Sequence, residues 1–317
     1  MVNSNNRNYL NSAKDNAPSP INNFIIQYWS SKIMFKYAVI TIKLALLLAF
    51  TTSNAVAQNK VYSFGVLNQR SITLSAEYWN PILKYVSDKS GVTLQLKMAR
   101  TAPDNSEMVG RSAFDFVYSN AIFSPENASP GYRVFARPSG NAIKGQIVVL
   151  EDSAPVVLKD LEGKDVGFPS RSAVVGYVVP MIALMKTGVQ VNPLFAGNQE
   201  GIMAQLKSRR VIAAGVNSQV MLEYAQRESI KYRVLWSSES YLNMPIAAHP
   251  SVPQNIARAV RSAFLDMTKD PQGMKILQAT AAVIQQAPPY GFVRAHDQEY
   301  SNYRKLYRHS QYKVLTK

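Results

Sequence analysis

Val61-Tyr62-Ser63-Phe64-Gly65-Val66-Leu67 opens the stretch that decides the fold. Its β-branched and aromatic content marks a strand, and Asn68-Gln69-Arg70-Ser71 behind it has loop composition. A helix follows: Trp79, Ile82, Leu83 and Val86 recur at three- and four-residue spacing, and Ser90-Gly91 closes it ahead of a second strand, Val92 to Leu96. Strand, helix and strand at this spacing form a βαβ unit, the building block of a parallel sheet.

Working outward, the alternation continues. Phe114-Asp115-Phe116-Val117-Tyr118 reads as a short buried strand ending at Ser119-Asn120, Tyr132 to Ala136 as another, and Gly145 to Leu150 as a strand that crosses to a second lobe, with Gly140 and Gly145 flanking a hinge. Beyond it lie a short helix at Leu158 to Leu161, strand Val166 to Phe168, helix Ala173 to Lys186 with a kink expected at Pro180, strand Asn192 to Phe195, helix Gln199 to Lys207, strand Val211 to Val216, helix Gln219 to Gln226 and strand Tyr232 to Trp236. Asn243 to Ala248 is the return crossing. Helices then follow from Pro253, where Ile256, Val260, Phe264 and Met267 share a face, and from Asp270-Pro271. Tyr300, Tyr303 and Tyr307 share one face of a terminal helix and are expected to pack against a lobe. The order predicts an α/β protein of two lobes, residues 59–143 with 243–317 and residues 144–242.

Composition narrows the function. The chain has 317 residues, 47% of them apolar and 17% charged, enough to bury sizeable cores. It has no cysteine, which excludes disulfides, thiolate catalysis and lipidation at an N-terminal Cys. His249, His296 and His309 are scattered without metal-ligand spacing, so no metal or cofactor is expected. There is no Gly-x-Ser-x-Gly elbow and no phosphate-binding Gly-x-x-x-x-Gly-Lys loop. The formal charge of +15 is compatible with an anionic ligand, and no run of five or six basic residues points to nucleic acid.

From Met34, Lys36 and Lys43 precede the apolar run Leu44 to Phe50, and Ala55-Val56-Ala57 supplies an A-x-A site. That is the pattern of a secretory signal peptide over residues 34–57, cleaved after Ala57, preceded by an Asn- and Ser-rich extension over residues 1–33. Residues 1–57 hold five of the 35 basic and one of the 20 acidic residues, so the mature chain keeps 30 − 19 = +11.

Four polar corners at strand ends are candidate binding elements: Gln69-Arg70, Tyr118-Ser119-Asn120, Ser170-Arg171-Ser172 and Gly197-Asn198-Gln199-Glu200, of which Gln199 is taken for the ligand and Asn198 for the helix cap, with Asn217 after a fifth strand. Unpaired N–H groups at a helix start favour an oxyanion, Ser170 and Ser172 add hydroxyl donors, and Arg171 adds charge. Each corner alone is equally an ordinary helix cap or turn. Their convergence from two halves is what suggests a ligand cleft.

At these residues the sequence resembles the periplasmic phosphate/phosphite/phosphonate-binding proteins of ABC transporters. The likeness runs from Lys60 to Arg308 and includes a Trp79-Asn80-Pro81 helix start, Phe114 to Tyr118, Asp160-Leu161-x-Gly163-Lys164 and Pro169-Ser170-x-Ser172. The resemblance implies a type II periplasmic binding protein with two crossover strands and an interlobe ligand cleft. It also implies a non-enzymatic, monomeric solute trap for phosphate, phosphite or a simple phosphonate, serving an inner-membrane permease. The alternative is a ligand-sensing subunit for a membrane histidine kinase. The family's Ser-x-Ser loop falls on Ser170 and Ser172, with Ala173 where Gly is typical and Arg171 where a small or hydroxyl residue is common. Gln199 stands where a His is common, and Ile212 and Asn217 stand where carboxylates are expected, which disfavours an aminoalkylphosphonate.

Overall fold

Ser71 begins the first helix: its Oγ accepts from the Leu74 N–H, and the helix runs Ile72–Ser90 (α1) to a C-cap at Gly91. The computed structural model describes residues 60–128, 130–309 and 314–315, all within one compact unit. The N-terminal extension and the signal peptide read from the sequence lie outside the described residues. α1 starts well before Trp79-Asn80-Pro81, contrary to the helix start expected there, and Pro81 sits in its interior. The Ser71 cap sets the start, and the buried stripe of Trp79, Ile82, Leu83 and Val86 holds the helix on its sheet despite the interior proline.

The remaining elements follow in order: β1 Tyr62–Val66, β2 Leu94–Lys97, α2 Ala102–Gly110, β3 Phe116–Tyr118, β4 Arg133–Pro138, β5 Ile143–Leu150, β6 Asp165–Phe168, α3 Val179–Lys186, β7 Asn192–Phe195, α4 Gln199–Lys207, β8 Ala213–Asn217, α5 Ser218–Glu228, β9 Tyr232–Tyr241, β10 Ile246–Ala248, α6 Gln254–Asp266, α7 Pro271–Ile284, β11 Phe292–Arg294 and α8 Ser301–Tyr307. They build two sheets, ordered β11-β4-β10-β3-β1-β2 and β7-β6-β8-β5-β9. In the first, β1 runs parallel to β2 and β3, and β10 joins antiparallel. In the second, β6 is parallel to β7 and β8, and β5 is antiparallel to β8 and β9. The chain leaves the first sheet after β4 and returns to it at β10, so two connections join the lobes. Parallel strands buried on both faces explain the near-continuous apolar runs in β3 and β8.

Two local features depart from the sequence reading. The helix expected over 173–186 opens as a π turn, Val174–Val178, with the Val179 N–H donating to Val174 O, and only then becomes α3. Pro180 therefore lies in a first α turn, where its missing N–H is tolerated. Gly145, read as a hinge flank, is instead held in the β5 ladder opposite Asn217, and a Cβ there would lie 2.5 Å from Val175 O. Its small size allows β5 to sit against the π turn.

The terminal tyrosines do pack inward. Tyr300 stacks on Phe123 at 4.9 Å, and the Tyr300 and Tyr303 hydroxyls donate at 2.9 Å to Asn243 O and Leu242 O, on the return connection. The Tyr307 hydroxyl donates to Asn120 O at 3.3 Å. These bonds fasten the chain segments that present the cleft. Tyr300→Phe leaves the buried Asn243 carbonyl without its donor and is expected to cost about 1 kcal/mol. Thermal unfolding should show a midpoint roughly 2 °C lower.

Candidate ligand-binding cleft

The C-terminal ends of β1, β3, β6, β7 and β8 face one another between the two sheets, and a cavity of about 50 Å³ lies among the residues that follow them. Strand ends of parallel sheets are the ordinary position for ligands in such folds. The space equals roughly four water-sized positions, which suits a small tetrahedral anion with at most a short substituent.

From the second sheet come Ser170 and Ser172, their Oγ atoms 3.2 Å apart, and the opening of the π turn through Gly176. The first N–H groups of such a turn have no acceptor within it and carry partial positive charge. Gln199 completes this wall. The Asn217 N–H, which can only donate, bonds Gln199 Oε1 at 3.1 Å, so the amide orientation is fixed and Nε2 turns towards Gly176. The same logic fixes two more amides. Asn217 Oδ1 accepts from Gln219 N–H at 3.0 Å, and Asn198 Oδ1 accepts from Gly201 N–H at 2.7 Å. In all three the NH₂ end is left without a partner among the described residues, so this wall presents donors.

The first sheet contributes Gln69, Asn120, Ser106 and Ser124. Ser106 Oγ accepts from Asn127 Nδ2 at 2.8 Å, which leaves its own proton for another acceptor. Leu67, Ala102, Ala121, Ile143 and Met244 add an apolar flank. Among the described residues that line the cavity none carries a formal charge. Elsewhere among the described residues, no group of three or more His, Asp or Glu comes together as a metal site.

Six of the ten candidates read from the sequence meet at this cavity: Gln69, Asn120, Ser170, Ser172, Gln199 and Asn217. Four do not line it. Arg171 lies over the Phe195 ring at 4.9 Å. Ser119 turns its Oγ to the Ala121 N–H and caps the short turn Asn120–Phe123. Arg70 and Tyr118 line a smaller adjoining space of about 20 Å³, together with Gln69 and Asn217. Sequence reading missed Asn68, Ser106, Ser124 and Asn198 as lining residues. For Ser106 a signal existed: Thr101-Ala102-Pro103-Asp104 is a capping box with Pro in the first turn, and it starts α2.

A polar latch crosses the cleft beside the cavity. Arg70 pairs with Glu223, whose side chain is 3% exposed. Burial alone would depress the Arg70 guanidinium, but the charge and hydrogen bond of Glu223 more than offset it, and the group titrates above its ordinary value. The Glu200 N–H donates to Gln69 O at 3.2 Å, the Ser71 N–H to Glu200 Oε2 at 3.3 Å, and Glu200 also pairs with Arg227 at 2.5 Å. Asn243 Nδ2 donates to Gln219 Oε1 at 2.7 Å, and the Tyr118 hydroxyl to Asn243 Oδ1 at 3.1 Å. Both carboxylates near the cleft are thus committed to arginines.

The sequence matches the family model of the phosphonate ABC transporter periplasmic substrate-binding protein over residues 64–300. The chain belongs to this family. Its role, substrate binding for an ABC transporter, is periplasmic and non-enzymatic, with a membrane permease as the working partner. The fold agrees with solved structures. PhnD1 of Prochlorococcus marinus, in complex with methylphosphonate, aligns with a TM-score of 0.67 at 18% identity, covering 82% of this chain and 100% of that one. A binding protein component of an ABC phosphonate transporter from Pseudomonas aeruginosa aligns at 0.68 and 18% identity, over 78% and 85%. A Xanthomonas citri protein bound to chloride aligns at 0.61 and 15% identity, over 80% and 98%. No match to the sequence was found among curated proteins.

Proposed function

We propose that this family member captures phosphate, phosphite or a simple phosphonate in the cleft and delivers it to an ABC importer. The observation that carries the reading is the donor wall of pinned amides, paired serines and the π-turn opening around a small uncharged cavity. Neutral donors can hold a dehydrated anion, because hydrogen bonds to an ionised acceptor are strong and fixed dipoles need no counter-ion. Gln69, Asn120, Ser170, Ser172, Gln199 and Asn217 are the residues assigned to the anion, and the apolar flank suits a hydrogen or short alkyl substituent. An aminoalkyl substituent would bring an ammonium to a cavity without a lining carboxylate, an unfavourable burial. With this reading go the lobe limits 59–143 with 243–317 and 144–242, cleavage after Ala57, and action as a monomer.

Equilibrium dialysis of the chain purified from the periplasm tests it. Phosphate, phosphite or methylphosphonate should be retained and aminoethylphosphonate retained weakly. Ser172→Ala should weaken retention by about 1.5–3 kcal/mol, the value of a hydrogen bond to a charged group. Unchanged affinity in that variant would remove the Ser170–Ser172 loop from the site. Tight retention of aminoethylphosphonate would refute the uncharged-cavity argument. Co-purification with a histidine kinase instead of a permease would replace the importer role by sensing.

A further inference from the structure

Tyr307 ends α8, and beyond its packing role it lines the cleft cavity. It is 2% exposed, and its hydroxyl donates to Asn120 O at 3.3 Å. α8 is seated on the turn that Asn120 opens: Tyr300 stacks on Phe123 at 4.9 Å, and the Arg304 guanidinium lies over the Phe123 ring at 4.6 Å. The position of the Tyr307 ring is thereby fixed. The apolar lining of the cavity falls into two parts. Leu67 and Met244 pack with the core that holds Phe64 and Trp79, whereas Ala121, Ile143, Val174 and Tyr307 belong to a separate packed cluster, none of the four more than 7% exposed. Side chains packed to interior density do not step aside for a larger ligand without strain.

We propose that Tyr307 is a specificity-determining residue: its ring closes the apolar end of the cavity and limits the substituent on phosphorus to the size of a methyl group. This rests on the oxyanion reading above and deepens it. A tetrahedral anion that turns its oxygens to the donors turns its remaining substituent to the wall that has none. In a cavity of about 50 Å³ a hydrogen or a methyl group fits there, and a longer alkyl chain meets the Tyr307 ring. The ring cannot give way without leaving Asn120 O, and moving that backbone displaces Asn120, itself assigned to the anion. An oversized substituent is therefore penalised twice, by overpacking and by a disturbed anion contact.

The test is calorimetric titration of the full protein with methylphosphonate and with propylphosphonate at neutral pH and fixed ionic strength, for the wild type, Tyr307→Leu, Tyr307→Phe and Tyr303→Leu. The wild type should prefer methylphosphonate by at least about tenfold. Tyr307→Leu should bring the two ligands within about threefold of each other. Tyr307→Phe keeps the ring and should keep the preference, while losing about threefold in affinity for both ligands with the bond to Asn120 O. Tyr303 is buried on the same helix and does not line the cavity, so Tyr303→Leu should leave the preference unchanged. Equal binding of the two ligands by the wild type overturns the role of Tyr307 and leaves the oxyanion reading intact, and this arm decides the matter even where a variant does not fold. A preference that survives Tyr307→Leu, or that Tyr303→Leu abolishes equally, also overturns it. Binding of neither ligand at millimolar concentration overturns the oxyanion reading and this inference with it.

Discussion

Replacing Glu223 by leucine is expected to weaken ligand binding by about a hundredfold or more, because removal of one partner from a buried ion pair costs about 3–5 kcal/mol. In the proposed capture the lobes close on the anion, and the cost falls on that closed form. Arg70 comes from the loop after β1 and Glu223 from α5, so the pair joins the two lobes, with side-chain exposures of 13% and 3%. Without Glu223 the guanidinium is left desolvated against Tyr78 and Tyr118, and opening the lobes returns it to water. Affinity should therefore drop while the unfolding midpoint of the ligand-free protein changes little. The double variant Arg70→Met, Glu223→Leu should recover most of the affinity, since it removes the orphaned charge as well. A single variant that binds like the wild type would make the pair a bystander. The effect should not depend on pH in the working range. The Arg70 pKa is raised in the fold, so the stabilisation is fully present below the ordinary arginine value and fades only above the raised one.

Gly176→Ala should produce the other large loss, with little loss of fold. A Cβ at this position would lie 2.4 Å from Gln199 Nε2 and 2.9 Å from Pro169 Cγ. The Gln199 amide cannot rotate away without leaving the Asn217 N–H that pins it at 3.1 Å, and Pro169 cannot yield without moving Ser170. The substitution therefore disturbs two assigned elements at once. Loss of a single donor to a charged ligand is worth about 1.5–3 kcal/mol, or roughly 10- to 150-fold in the dissociation constant. Gly140→Ala is the matched control, because nothing lies within 4 Å of a Cβ there. Calorimetric titration of the two variants should separate them by at least about tenfold. Equal affinities would show that the Gly176–Gln199 contact does not shape the site.

Much of this architecture was legible because the physical signals were local. The strand–helix alternation, the Ser71 and Gly91 ends of α1 and the amphipathic spacing of α6 each follow from nearest-neighbour chemistry. The π turn was not legible, since its cause is tertiary: Gly145 and Gly215 let the Val175 and Gly176 carbonyls approach β5 and β8. The site divided along the same line. Polar corners after strands were visible, and six of their residues meet at the cavity. Which end of each amide is available was not visible, because it is set by backbone partners distant in sequence, such as Asn217 for Gln199. Arg171 shows the limit most clearly. Its position in the Ser-x-Ser loop suggested a charge for the ligand, yet the aromatic ring of Phe195, from β7, takes the guanidinium instead.

Titration calorimetry of the periplasmic protein with methylphosphonate and with phosphate addresses the whole account most directly. One molar equivalent of anion should bind with micromolar or tighter affinity, about −8 kcal/mol or better, and a Ser170→Ala, Ser172→Ala double variant should lose at least two decades of it. Absence of binding by the wild type at millimolar anion, or equally tight binding by the double variant, would contradict it.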